Sequence, residues 1–375
     1  MSIPSWIQIV LTVLIVAMLP LATVWVSSDA NKYRKLIWVT LFLTFDLVMF
    51  GGFTRLTDSG LGCPDWPGCY GQANPLQAHA AISAAQTAMP TGPVTNSKAW
   101  IEMIHRYLAS AVGALIFAQM LIAWRRWLQS AKSARRFTPA IPTALFALVC
   151  LQGAFGAWTV TLKLQPIIVT THLLLGLSLL GGLAWLAAQQ SDAVPLIDRA
   201  SALRKPALFA LILLAIQIAL GGWVSTNYAT LACIDFPMCQ GSWLPHMDFA
   251  NGYTLWRDLG KTGGGEFLPF AALTAIHFVH RTFAFVVLAC AGWLGYRALQ
   301  VDGMQQLGRW LLAALALQLL TGVSTIYLSW PLLLAVAHNG GAALLVVLLV
   351  MVNYRTRHPV VTDSNPQVMR PIPTA

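Results

Sequence analysis

The feature that most constrains the fold is a series of long apolar runs that fill most of the chain. A membrane-spanning helix needs about 20 predominantly apolar residues. Such runs lie at residues 5–26, 36–54, 101–123, 140–161, 167–188, 206–226, 268–293, 308–328 and 331–353. Charged residues make up 10% of the chain, against about 25% in soluble proteins, and the runs lack the alternation of an outer-membrane barrel. The sequence therefore predicts an all-α polytopic membrane protein with nine spans.

The positions of the basic residues predict how these spans are oriented. Lys and Arg accumulate in cytoplasmic connections, and sixteen of the 23 in this chain fall in one alternate set of connections and the C-terminal tail. We therefore expect a multi-pass protein of the bacterial inner membrane, with its N-terminus outside and residues 354–375 as a cytoplasmic tail. The formal net charge of +10 then reflects the orientation of the spans and not a binding surface. We therefore expect membrane lipid as a partner, and no nucleic acid.

Residues 1–30 are predicted to form an extra N-terminal transmembrane helix in front of the other spans. A signal peptide is the alternative interpretation, but the segment lacks a basic start, and its apolar run is longer than the usual core of such a peptide. The basic cluster Lys32, Arg34 and Lys35 directly after it fits a helix that enters the membrane from outside. We therefore favour a retained helix.

An internal repeat divides the remaining chain into two halves. Four features recur in the same order in both. They are the Gly-Gly pairs 51–52 and 221–222, the cysteine-bounded segments 63–69 and 233–239, the His-Arg pairs 105–106 and 280–281, and the histidines 172 and 338. Because each half holds four spans, an even number, both halves enter the membrane from the same side. We predict two tandem four-helix bundles, residues 36–188 and 206–353.

Paired histidines inside the spans are the main candidates for function, because polar residues are costly within a membrane. Each half places one His on its second helix and one on its fourth, near the outer face: His105 with His172, and His280 with His338. Two facing imidazoles in a four-helix bundle form a bis-axial haem site. Zinc is less favoured, since it requires four nitrogen or sulfur ligands. His277, one turn from His280, is not assigned as a ligand.

Charged residues beside the histidines refine this interpretation. Arg106 and Arg281 each follow a candidate ligand, and a guanidinium at that depth needs an anion such as a haem propionate; snorkelling to the outer interface is the alternative. Arg55 is ambiguous in the same way. Glu102 in the first half corresponds to His277 in the second. A carboxylate thus stands beside one haem site and not beside the other. This difference predicts chemistry at the first site and a permanent cofactor at the second. An ion pair with Arg106 is the structural alternative for Glu102.

The two close cysteine pairs lie in outer loops, where an oxidising compartment allows disulfides. Their equal spacing suggests that Cys63 pairs with Cys69 and that Cys233 pairs with Cys239. Four cysteines allow three connectivities, so this pairing is an inference.

The segment from Gly51 to Cys69, followed by Glu102-Met-Ile-His105-Arg106, resembles the haem A synthase family, in the form that carries cysteine pairs in its outer loops. The resemblance covers residues 36–353. It implies oxidation of the C8 methyl of haem O to a formyl, through a hydroxymethyl stage, to give haem A for terminal oxidases.

The resemblance also implies roles for single residues. His105 and His172 would face the substrate haem, His280 and His338 would ligate haem b, and Glu102 would be the carboxylate needed for turnover. Haem O synthase and terminal oxidase assembly are the implied partners, while the electron acceptor and a homo-oligomeric state stay open. The extra first span and His277 depart from the family pattern.

Three other functions are compatible with parts of the sequence. A thiol–quinone oxidoreductase would use the two cysteine pairs but needs no paired intramembrane histidines, and it would show no haem spectrum. A di-haem b-type electron carrier would place its haems near opposite membrane faces. A haem exporter or chaperone would only bind, and the carboxylate of Glu102 argues mildly against it.

Overall fold

The structure is a computed structural model that describes residues 3–130, 138–191, 195–196, 198–357 and 360–361. Within these ranges the regular elements are helices, apart from one two-residue parallel pairing of Pro195–Leu196 with Val360–Val361, and loops with three isolated bridges join them. Of the predicted cytoplasmic tail, residues 354–357 continue the last helix. Residues 358–359 and 362–375 lie outside the described residues.

Nine helices in the described part of the chain are long and apolar enough to cross a membrane, which confirms the predicted number of spans. They are α1 Ser5–Val26, α2 Lys32–Leu56, α4 Asn96–Gln129, α5 Ala140–Thr161, α6 Pro166–Gln190, α7 Arg204–Thr226, α9 Phe270–Leu299, α10 Gln305–Tyr327 and α11 Leu332–Arg357. Two shorter helices, α3 His79–Ala88 and α8 Phe249–Gly252, lie in the two long loops that join α2 to α4 and α7 to α9.

Helix α4 starts earlier than its apolar run because its first turn is polar. The hydroxyl of Thr95 accepts a hydrogen bond from the Lys98 N–H at 3.3 Å, which caps the helix. Such a cap satisfies an N–H group that the helix itself leaves free. A search for apolar runs therefore places the start of this helix five residues too late.

The long helices form two rings of neighbours. Helices α2, α4, α5 and α6 contact one another in sequence, and α6 returns to α2; α7, α9, α10 and α11 do the same. The rings meet where α6 contacts α7 and α11, and where α11 contacts α2. Helix α1 packs outside, on α4 and α2. The division into two four-helix units stays a prediction, which this pattern of neighbours supports.

The tightest packing lies in the half of the molecule away from the long loops. Leu180 and Leu183 of α6, Leu294 of α9 and Leu311 of α10 are fully buried there. Membrane helices associate largely through close packing, which small residues permit. Because this apolar core fills one half of the helices, the paired histidines all lie in the other half, next to the long loops.

Candidate functional site

Two disulfides close the predicted loops. Cys63 is bonded to Cys69, and Cys233 is bonded to Cys239, so the inferred pairing is confirmed. We call residues 63–69 the first disulfide loop and residues 233–239 the second. Both loops follow the C-terminal end of a helix that carries a Gly-Gly pair.

An aspartate shapes each disulfide loop from inside. The carboxylate of Asp235 accepts hydrogen bonds from the N–H groups of Gln240 and Gly241 at 2.7 and 2.8 Å. These bonds lower the pKa of the Asp235 carboxyl, and the bond from the Gly241 N–H lowers it most. Asp65 accepts the same pair of bonds from the two residues that follow Cys69. The repeated aspartate is therefore a loop-forming residue.

The two arginines beside the histidines anchor these loops. Arg106 donates to carbonyl oxygens of the first disulfide loop, at 2.9 Å for Asp65 and 2.6 Å for Gly68. Arg281 donates in the same way to carbonyl oxygens of the second loop, the shortest contact being 2.7 Å. Each guanidinium thus fixes the loop of its own half. From the sequence, the expected partners of these two guanidinium groups were haem propionates, the outer membrane interface and Glu102. The disulfide loops were not among them.

Glu102 and His277, where the repeat breaks, hold equivalent contacts. The Oε2 atom of Glu102 accepts the Cys63 N–H at 2.7 Å, and its Oε1 atom forms an ion pair with Arg106. The Nδ1 atom of His277 accepts the Cys233 N–H at 3.3 Å. Both side chains are 4% exposed. The ion pair that the sequence offered as the structural alternative for Glu102 is present, and His277 is engaged by the second disulfide loop.

Because the second half has His277 where the first half has Glu102, Arg281 lacks the ion pair that Arg106 forms. Its Nη1 atom is buried and has no partner in the described part of the chain. The same side chain lines a cavity together with His280 and His338. A buried guanidinium nitrogen without a partner is costly, so this atom is a candidate donor to an anion in the cavity.

The cavity lies among α7, α9, α10 and α11, is closed on one side by residues of α2 and α6, and is lined mainly by apolar side chains. His280 from α9 and His338 from α11 both reach it, so the structure brings the predicted second pair together. His105 and His172 lie close enough to each other for an electrostatic interaction. The ring of Phe50 stacks on His105, with the two ring centroids 6.1 Å apart.

A glycine of a neighbouring helix lies behind each of the four histidine rings. The pairs are Gly51 with His105, Gly156 with His172, Gly221 with His280 and Gly322 with His338. A methyl group on any of these glycines would lie only 2.9 to 3.2 Å from the Cε1 atom of its histidine. The sequence analysis used these glycines only as markers of the repeat. Their physical role is to leave room for an imidazole.

The second glycine of each Gly-Gly pair faces the other half of the molecule. A methyl group on Gly52 would lie 3.5 Å from Asn339 of α11, and one on Gly222 would lie 3.0 Å from Leu173 and 3.2 Å from Thr170 of α6. Small residues let helix backbones approach closely. In each Gly-Gly pair, the first glycine therefore leaves room for a histidine, and the second lets the two halves pack closely.

Arg55 joins the C-terminal ends of α2 and α7. Its Nη2 atom donates to the Ser225 carbonyl at 2.6 Å, its Nη1 atom bonds Asp58 at 3.1 Å, and its guanidinium lies 4.2 Å from the centre of the Tyr228 ring. The Tyr228 hydroxyl in turn donates to Asp58 at 2.7 Å. These contacts give Arg55 a role at the junction of the halves, and its predicted contact with a propionate stays a prediction.

Polar partners of the histidines were missed from the sequence. Gln318 lies 3.3 Å from Nε2 of His338, and Gln152 lies 3.4 Å from Nε2 of His172. The signal was available, because a Leu-Gln pair recurs at both places. Polar side chains that face an intramembrane histidine are expected to belong to the same site.

Asp46, near the middle of α2, was also missed. It is exposed on the surface of the helix bundle. Its carboxylate has no hydrogen bond or ion pair within the residues that the structure describes.

The residues present fit a haem at each pair of histidines. Each of the four imidazoles has a glycine behind it, and a cavity opens beside His280 and His338. The apolar lining of the second site suits a macrocycle, and the unpartnered Nη1 atom of Arg281 suits its anionic edge. Imidazole pairs of this kind are established axial ligands of haem iron.

Comparison with known proteins identifies the family. The sequence model of the COX15-CtaA family, described as cytochrome oxidase assembly protein, matches residues 34–350. The chain belongs to this family. The COX15-CtaA match begins within α2 and ends within α11, so it covers all four paired histidines, and α1 lies before it.

The chain is also similar along most of its length to proteins named heme A synthase. It is 39% identical to the protein of Shewanella oneidensis, over 86% of this chain and 96% of that protein. It is 30% identical to the protein of Erythrobacter litoralis, over 83% and 93% of the two chains. For Caulobacter vibrioides the identity is 29%, over 90% and 100%. With its apolar helices, this member of the COX15-CtaA family is a multi-pass inner-membrane protein.

Proposed function

We propose that the chain is a haem A synthase, which oxidises the C8 methyl of haem O to a formyl through a hydroxymethyl stage. The observation that carries this proposal is the asymmetry of two otherwise matched sites. Both hold paired histidines backed by glycines, but only the first has a buried carboxylate beside it. The similarity to proteins named heme A synthase supports the same reaction.

The first site is assigned to the substrate. His105 and His172 bind the iron of haem O, and Glu102 acts as the carboxylate needed for turnover. Its position is fixed from two sides, by Arg106 and by the Cys63 N–H. A carboxylate held in this way can take a proton from an attacking water or stabilise positive charge that develops at the oxidised methyl.

The second site is assigned to a resident haem b. His280 and His338 would hold its iron, and the Nη1 atom of Arg281, which has no partner among the described residues, would donate to a propionate. When bound there, haem b would supply one-electron redox chemistry. His277 keeps the second disulfide loop in place through Cys233.

The orientation and partners follow from the same proposal. The N-terminus lies outside and the C-terminus is cytoplasmic, so both disulfides face the oxidising side, where they are stable. The expected partners are haem O synthase and the terminal oxidase assembly apparatus. An electron acceptor is required, and a homo-oligomer is compatible with this assignment.

The decisive experiment expresses the full chain in cells that make haem O and identifies the extracted haems by mass. We expect haem A from the wild type. Glu102→Gln should abolish haem A and keep haem b, whereas His280→Ala or His338→Ala should lose haem b. Recovery of haem b and unchanged haem O from the wild type would falsify the synthase proposal and favour a di-haem carrier. Absence of any haem spectrum would favour the thiol–quinone oxidoreductase.

A further inference from the structure

The second site contains a hydrogen bond that the repeat does not reproduce in the first. The Oγ1 atom of Thr321 lies 3.0 Å from Nδ1 of His338. The hydroxyl has its own acceptor, the Leu317 carbonyl oxygen at 2.9 Å. Because its hydrogen is directed to that carbonyl, the oxygen accepts the Nδ1–H of the imidazole. The lone pair of Nε2 then faces the amide nitrogen of Gln318, 3.3 Å away, which a metal would displace.

The first site lacks this arrangement. The residue equivalent to Thr321 is Phe155, which has no hydrogen-bonding group in its side chain. In agreement with this, the Nδ1 atom of His172 is buried without a partner in the described part of the chain. The two sites thus differ in how firmly the ligand from the fourth helix of each half is held.

The other ligand of each pair also differs at Nδ1, although here the side-chain amide nitrogen is the donor and the ring nitrogen is the acceptor. The amide of Gln217 lies 3.1 Å from Nδ1 of His280 and also 3.1 Å from the His280 carbonyl oxygen. Its equivalent in the first half is Leu47, and the Nδ1 atom of His105 is buried without a partner among the described residues. Both second-site imidazoles therefore have a polar partner at Nδ1, and within the described residues neither first-site imidazole has one there, although Gln152 lies 3.4 Å from Nε2 of His172.

A hydrogen bond at the remote nitrogen fixes the tautomer and orientation of a ligating imidazole and raises its basicity. We propose that Thr321 is a positioning residue for the iron ligand His338, and that it makes the second site a permanent haem site. The histidines of the first site, whose Nδ1 atoms have no partner among the described residues, bind haem more weakly, which lets a modified haem leave. This inference rests on the proposed function, since it takes haem b as the occupant of the second site.

The test uses full-length protein purified with haem b. Thr321→Val keeps the shape of the side chain and removes the acceptor. We expect its affinity for haem b to fall about 10- to 100-fold, the range seen when such hydrogen bonds are removed. The midpoint potential should rise, because a less basic imidazole stabilises ferric iron less. Thr321→Ser should restore both properties.

Thr44→Val is the matched control. Thr44 is buried in α2, and its hydroxyl donates back to the Thr40 carbonyl at 2.7 Å without contacting a histidine. It should leave haem affinity and potential unchanged. Unchanged affinity and potential in Thr321→Val would overturn the inference, as would a loss of haem that Thr321→Ser fails to restore. Wild-type protein that binds no haem b would instead overturn the proposed function.

Discussion

At the scale of single residues, the glycines behind the histidines decide how much room a haem has. A helix normally presents a side chain at every position, and even one methyl group would lie closer to the imidazole than ordinary van der Waals contact allows. The imidazole would have to turn or move, and its Nε2 atom would leave the direction that iron needs. Glycine at these four positions is therefore part of the ligand geometry.

Gly221→Ala tests this account. The added methyl would lie 2.9 Å from Cε1 of His280, so we expect a marked loss of bound haem b. The control is Gly292→Ala in α9, where an added methyl has no neighbour within 4 Å. Haem content per protein, measured from the visible spectrum, gives the result. Equal haem content in the two variants would contradict the role given to Gly221.

Single-residue prediction from the sequence worked where a costly side chain stood out. His105 and Glu102 were identifiable because an imidazole or a carboxylate within a span is expensive. Thr321 was not, because threonine commonly bonds back to its own helix, and only the fold shows that His338 lies beside it. Gly221 was recognised as part of the repeat, but its contact with His280 depends on packing between helices.

At the scale of elements, each disulfide loop is bound to the start of the long helix that follows it by two side chains of that helix. The first loop is joined to α4 through Glu102 and Arg106, and the second is joined to α9 through His277 and Arg281. The spacing of the cysteines predicted the loops. It could not predict these contacts, because they depend on how each loop folds back over the helix end.

Removing one disulfide at a time should affect one haem site at a time. Replacing Cys63 and Cys69 by serine loosens the loop whose N–H holds Glu102, so haem A formation should fall while haem b is retained. Replacing Cys233 and Cys239 loosens the loop held by Arg281, so haem b should be lost first. Extracted haems measured by mass provide the readout. Identical effects of the two double variants would count against this division.

At the scale of the whole molecule, the two halves meet through residues at equivalent positions of the repeat. Arg55 bonds Ser225, and Asp58 bonds Tyr228, and in each case the two residues are 170 positions apart. Contacts between equivalent positions are expected near an axis that relates two halves. The sequence predicted the halves from their shared motifs. It did not predict this junction, because its residues differ between the halves.

The surface toward the membrane offers a separate prediction at Asp46. An aspartate at the centre of a spanning helix costs about 2.5–3.5 kcal/mol on insertion scales. The equivalent residue in the second half, Ile216, is 43% exposed and apolar. Asp46→Leu should therefore raise the thermal unfolding temperature of the purified protein, and Ile216→Asp should lower it. A loss of stability in Asp46→Leu would instead indicate that another protein surface pairs with this carboxylate.

The Gly51-Gly52 pair has one more consequence. Its first residue touches His105 of one site, and its second touches Asn339, which directly follows His338 of the other site. Neighbouring positions on a helix are only 1.5 Å apart along its axis. At this point the backbone of α2, with no side chain of its own, separates His105 of one site from the side chain of Asn339 at the other. A side chain introduced at either glycine would therefore crowd the site that it faces.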